Sequence, residues 1–218
     1  MDLVNAPQDE SDRGRHAGDS EVTERLVRAA KEGGSESFGV LYERIAPALY
    51  TWADIRIRPT VRAWIDPGDL VQEVWCRALR SFDQFDAETG SFRYWIFRVA
   101  KNVLLEAIRK TSSPGFRAQN PGTTTRLLLL NQVPDVVTGV SLRLSRQEEL
   151  GRFRDWVKEL ERTDRELLLH HGIEGLSHAE VAERLELGTE AVAKRWQRLR
   201  ERLEQQAVPQ EVLAVLLD

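Results

Sequence analysis

Two stretches of the chain carry side chains whose types and spacing could do chemistry. In "SFRYWIFRVAKNVLLEAIRK", Arg98, Lys101, Asn102 and Arg109 recur at helical spacing and form one polar stripe on an otherwise apolar segment. Cations in such a ridge meet phosphates, and an amide such as Asn102 can pair with a base edge. Just upstream, "SFDQFDAETGSFRYW" gathers Phe82, Phe85, Phe92, Tyr94 and Trp95. Aromatic faces beside a basic ridge suit unstacked bases, although aromatics at helical spacing more often fill a core.

The second stretch is "SHAEVAERLELGTEAVAKRWQRLRERL", Ser177 to Leu203. On a helical wheel Val192, Trp196, Leu199 and Leu203 fall together as a core face, and Glu190, Lys194, Gln197, Arg198 and Glu201 lie opposite. Residues near the amino end of such a helix reach base edges, while Arg195, Arg200 and Arg202 lie on the flanks. Taken alone, the helix could be a solvated charged face with local ion pairs. The preceding helix argues otherwise. Its capping box of Ser177 and Glu180, its staple of Leu176 and Val181, and the short "ELGT" break together predict a helix-turn-helix.

These stripes need helices to position them, and the sequence supplies little else. The chain has 218 residues and a formal net charge of −4, so the basic residues act through clustering rather than through the total. Residues 1–20 read as a disordered tail, and 21–110 as a first helical domain. Helices are expected from near Glu21, after "EGGSES", after "DPGD" with Asp66 as N-cap, and after the cap Ser91 to about Lys110. In the third, Leu70, Val71, Val74, Trp75, Ala78, Leu79 and Phe82 share an apolar face, with Asp69, Gln72, Glu73, Cys76 and Arg80 opposite.

Residues 111–144, rich in proline, glycine, serine and threonine, read as a flexible linker, with Leu127 to Leu130 as its one apolar run. Capping boxes at Ser145 with Glu148, Thr163 with Glu166, and Ser177 with Glu180 define a second helical domain over 145–206, followed by a tail, 207–218, able to fold back as a short amphipathic helix. The fold class is therefore all-α, two small helical domains joined by a linker. No apolar run approaches the ~18 residues of a membrane span, and the polar opening lacks a secretory signal, so a cytoplasmic location without membrane insertion is expected. The single Cys76 excludes a disulfide framework. No phosphate-binding loop or zinc-protease motif occurs, and His170, His171, Glu174 and His178 are explained by flanking capping boxes. Hence no enzyme, cofactor or metal is expected.

Together, "DPGDLVQEVWCRALRSFDQFD", "GSFRYWIFRVAKNVLLEAIRK" and "LERTDRELLLHHGIEGLSHAEVAERLELGTEAVAKRWQRLRERL" resemble the two domains of bacterial extracytoplasmic-function sigma factors of the sigma-70 superfamily. The resemblance implies that 21–110 is a region 2 bundle that grips the beta-prime clamp helices of core RNA polymerase and opens the minus-ten element. It implies that 145–206 is a region 4 helix-turn-helix that reads the minus-thirty-five element and contacts the beta flap. Matched by motif, Asp69, Gln72 and Glu73 would face polymerase. Arg98, Lys101, Asn102, Arg109 and Lys110 would face promoter DNA, with Phe85 opening a loop like the one that captures a flipped base. Glu190, Lys194, Arg195, Gln197 and Arg198 would serve the minus-thirty-five element. The chain departs from the family at Glu186, where glycine is usual, and at Ala193, where a lysine is common. An anti-sigma factor is a candidate partner. The alternative is a helix-turn-helix regulator acting without polymerase, which would leave the face of Asp69, Gln72 and Glu73 unexplained.

Overall fold

The computed structural model describes residues 21–32, 35–87, 90–112 and 148–206, with 208, 212 and 216 beyond them. The described residues are helical throughout, without a strand. The first domain comprises α1 (21–31), α2 (Ser35–Arg56), α3 (Pro59–Arg62), α4 (Pro67–Arg80) and α5 (Phe92–Ser112). The short α3 is additional to the expected helices, and Pro59 at its first turn supplies the helical φ that starts it. Asp66 caps α4 as expected, its carboxylate accepting from the Gly68 and Asp69 amides at 2.7 and 3.3 Å. Ser91 Oγ likewise accepts from the Tyr94 amide at 3.2 Å at the start of α5.

Aromatic rings lock α2, α4 and α5 together. Trp75 meets Tyr42 at 4.9 Å, Phe38 at 5.6 Å and Phe92 at 6.3 Å, and Phe92 in turn meets Phe82, Phe85 and Trp95. Edge-on and tilted pairs of this kind each add about 0.5–1.5 kcal/mol beyond burial. The α4 stripe departs from expectation at two positions. Leu79 is 50% exposed, and Glu73 is buried at 5%. Arg77 is the reason: its guanidinium reaches Glu73 at 2.7 Å and Glu106 of α5 at 2.7 Å, so a carboxylate can sit beneath it between helices.

The second domain comprises α6 (Glu148–Glu159), α7 (Arg162–Leu167) running into a π-helical turn (Leu168–Ile173), α8 (His178–Leu185) and α9 (Thr189–Glu204). The capping box at Ser177 and Glu180 is present, and Leu176 and Val181 are both buried at the staple positions. The box expected at Thr163 and Glu166 is not formed. Glu161 is the N-cap without a side-chain bond, and Glu166 turns instead to Arg56 and His170. Arg165 meanwhile closes the end of α6 by donating to the Val157, Lys158 and Leu160 carbonyls. The Ser145 box, Leu127 to Leu130 and the linker beyond Ser112 lie outside the described residues.

The two domains share one core. Helix α2 packs on α6 and on the π-helical turn, and Asp54, buried in α2, takes Arg62 at 2.5 Å and Arg154 of α6 at 3.3 Å. Beyond α9, Val208, Val212 and Leu216 are buried, and Leu216 lies against Gly172 of the second domain; the rest of 207–218 lies outside the described residues.

Two backbone positions are specific enough to test. Glu186, between α8 and α9, has φ 56° and ψ 43°, a left-handed conformation in which a side chain costs about 1–2 kcal/mol, partly offset by glycine's greater freedom when unfolded. Glu186→Gly should raise the urea midpoint, by up to about 1 kcal/mol in stability. Gly172 leaves no room for more: a Cβ there would stand 2.7 Å from Trp196 Cη2. Gly172→Ala should lower stability by about 1–3 kcal/mol, read in the same unfolding experiment.

Candidate nucleic-acid interface

Helix α5 buries Phe92, Ile96, Phe97, Ala100, Val103, Leu104 and Ala107, which turns its polar stripe outward. Arg98, Asn102, Arg109 and Lys110 are exposed along it, with Leu105 exposed among them. Lys101 behaves differently. It is half-buried, and its ammonium donates to Glu174 Oε2 of the second domain at 2.5 Å. The expected ridge therefore exists, with its central cation engaged within the protein.

Phe85 does not project for stacking. It is 4% exposed, wedged against Phe92 at 5.6 Å and Trp95 at 5.4 Å, with Lys31 donating to its carbonyl. Phe82 and Phe92 are buried with it, because the turn after α4 closes the aromatic core rather than displaying it. Tyr94 and Trp95 remain half-buried.

On the helix-turn-helix, Val192, Trp196, Leu199 and Leu203 anchor α9 as the wheel requires. Glu190, Lys194, Gln197 and Arg198 are exposed on the far side, and the Lys194–Glu190 pair is loose at 3.9 Å. Arg195 belongs to the domain's own framework in this conformation: it holds Glu161 at 2.9 Å and Asp164 at 3.1 Å, while Arg202 holds Asp164 at 3.1 Å. Gly188 N-caps α9 at φ −76°, so it does not replace the family's turn glycine.

The α4 face keeps Asp69 and Gln72 half-exposed, with Glu73 withdrawn beneath Arg77. Glu73 is thus a brace for this face and not part of its open surface.

The residue that the sequence hid is Glu174. Fully buried, it accepts from Trp52 Nε1 at 2.9 Å and Lys101 at 2.5 Å, and pairs with His170 at 2.9 Å and Arg56 at 3.5 Å. The π-helical turn places it there: Glu174 N bonds the Leu169 carbonyl, five residues back, which rotates the carboxylate toward α2 and α5. Burial would raise this carboxyl, but the hydrogen bonds and charges of His170 and Lys101 prevail and hold it at about 2. Burial opposes the imidazolium of His170, yet the flanking Glu166 and Glu174 raise its pKa. "HHGIEGLSH" offered a cue, an acidic residue four positions after a histidine, but nothing local says that its partners lie in another domain.

Residues 41–113 match Sigma-70 region 2 and residues 150–203 match Sigma-70, region 4. The chain is 30% identical over 187 residues to the RNA polymerase sigma factor NccH of Alcaligenes xylosoxydans xylosoxydans, covering 85% of this chain and 94% of that protein. It is 29% identical over 171 residues to the ECF RNA polymerase sigma factor BldN of Streptomyces coelicolor, covering 77% of this chain and 60% of that one. Among solved structures, CnrH in complex with the cytosolic domain of CnrY aligns with 24% identity and a TM-score of 0.42, over 84% of this chain and 96% of that one.

The charges around Glu174 set a pH window. The stabilisation from Glu174 is complete above its ordinary value of 4.5 and fades as the pH falls toward about 2. That from His170 is complete below its ordinary value of 6.5 and is lost as the pH rises through the elevated folded value. In an NMR titration of the full chain His170 should titrate above 6.5. Glu174→Gln should bring the midpoint down, and an unshifted wild-type midpoint would contradict the arrangement.

Proposed function

The chain belongs to the extracytoplasmic-function group of the sigma-70 family and directs transcription initiation, and from this we propose how its surfaces divide the work. The first domain grips the beta-prime clamp helices of core RNA polymerase through the α4 face of Asp69 and Gln72, with Glu73 bracing that face through Arg77. Its α5 ridge, Arg98, Lys101, Asn102, Arg109 and Lys110, recognises and opens the minus-ten element, and the Phe85 turn supports the ridge from below. The second domain reads the minus-thirty-five element with Glu190, Lys194, Gln197 and Arg198, assisted at the helix edge by Arg195, and touches the beta flap. Phosphate contacts give affinity and the amides of Asn102 and Gln197 give base discrimination. The chain works in the cytoplasm, where core polymerase works, and contributes binding rather than catalysis. As the family resemblance implies, an anti-sigma factor is a further candidate partner.

The observation that carries this reading is that two outward cationic faces, on α5 and α9, are each backed by buried apolar stripes, so neither is needed to hold its own helix in place. An acidic, amide-bearing α4 face beside them repels phosphate and calls for a different, basic partner. A regulator that bound DNA alone would have no use for it.

Two measurements test the division. Lys194→Glu with Arg198→Glu should weaken promoter binding by about 1–3 kcal/mol for each side chain replaced while leaving affinity for core polymerase unchanged. Asp69→Lys with Gln72→Ala should do the reverse, lowering core affinity at least tenfold, or about 1.4 kcal/mol, in a fluorescence titration of the folded full chain. Unchanged core affinity would remove this face from the mechanism. Glu73 is unsuitable for that test, since it is 5% exposed and a lysine there would bury a cation beside Arg77.

A further inference from the structure

Donors of the first domain converge on one short segment of the second. Trp52 Nε1 and Lys101 Nζ hold the two carboxylate oxygens of Glu174, Arg56 stands 3.5 Å from one of them, and Arg93 Nε donates to the Ile173 carbonyl at 2.9 Å. The first-domain side alone, an indole N–H, a guanidinium and an ammonium around a space for one anion, is a receptor for negative charge. Trp52 is 1% exposed and edge-packed on Phe97 at 6.0 Å. Its N–H is therefore fixed in direction and needs an acceptor at that spot whether or not Glu174 is present. Arg56 Nε is already buried without a hydrogen-bond partner, a donor that the carboxylate leaves unused. Lys101 links this pocket to the ridge, one residue from Asn102 and one turn from Arg98.

We propose that Trp52, Arg56 and Lys101 form a site for a backbone phosphate of promoter DNA, and that Glu174 fills it in the closed protein, so that domain closure and promoter engagement exclude each other. The proposal rests on the assignment of the α5 ridge to DNA. Carboxylate and phosphodiester both present anionic oxygens to N–H donors, and the tetrahedral group carries oxygens enough to reach Arg56 Nε as well. Opening also withdraws Glu166, 3.3 Å from Arg56, and a phosphate that replaces both carboxylates leaves no first-domain donor stranded. Glu174 is not stranded either, because His170 lies on its own turn and travels with it, 2.9 Å away. Arg93 contributes a grip on the closed state without belonging to the pocket.

The test uses the full chain without core polymerase, titrated with a fluorescent oligonucleotide bearing a single-stranded minus-ten segment, while energy transfer between labels on the two domains reports closure. Glu174→Gln should open the chain and raise oligonucleotide affinity by about tenfold. Arg93→Ala, which leaves pocket and carboxylate intact, should act in the same direction and stands in should Glu174→Gln fold poorly. In the Glu174→Gln background, or in Arg93→Ala if that is used, Trp52→Phe keeps the ring and removes the donor, and should lower affinity several-fold. Arg56→Gln should reduce the slope of log affinity against log salt by about one. Variants that remain closed, or that open with unchanged affinity, overturn the proposal. So does loss of binding with Lys101→Ala that neither Trp52→Phe nor Arg56→Gln reproduces, an outcome that leaves the ridge standing. If Lys101→Ala and Asn102→Ala also leave affinity untouched, the ridge assignment itself fails.

Discussion

A carboxylate with no access to water needs partners from every side, and the arrangement of the two domains follows from where those partners are. Glu174 draws Trp52 and Arg56 from α2, Lys101 from α5 and His170 from its own turn. Remove any one and a buried charge is left short of compensation, which is far more costly than losing a surface pair. Asp54 repeats the logic on a smaller scale, drawing Arg62 from its own domain and Arg154 from the other. Apolar burial would hold the domains together in many registers; these two acids select one.

Charge on the recognition helix divides along the same line. Arg195 and Arg202 are fixed by Glu161 and Asp164 and steady α9 against α7. Lys194 and Arg198 face away, with only a loose neighbour or their own backbone as company among the described residues. A helix whose lysine and arginines read as one cluster in sequence thus holds two populations of cations, one structural and one available. The acidic total of the chain is no obstacle, because many of its carboxylates are spent on cations inside the fold.

Much of the fold was legible because its signals are local. Asp66 and Ser91 at helix starts, the Ser177 and Glu180 box, and the Val192 to Leu203 stripe each depend on residues within a turn or two. Failures came where a distant group overrides a local rule. Thr163 and Glu166 have the right spacing for a box, but Arg56 and His170 compete for the glutamate. Glu73 sits at a polar position of its wheel, yet Arg77 and Glu106 close over it. Phe85 is an aromatic in a turn, and neighbouring rings claim it for the core. At the candidate site the cations were readable as a stripe, whereas the engagement of Lys101 by Glu174 could not be, since 73 residues separate them.

The similarity to region 4 ends at residue 203, but the packing does not. Val208, Val212 and Leu216 are buried beyond it, and Leu216 stands 3.1 Å from where a Cβ on Gly172 would be, on the same side as the Trp196 ring. A domain boundary drawn where the family pattern stops would therefore cut through a core. The exposed socket would lie at Gly172, inside the π-helical turn that leads into Glu174, so Leu216 is a backstop for the turn that carries the carboxylate.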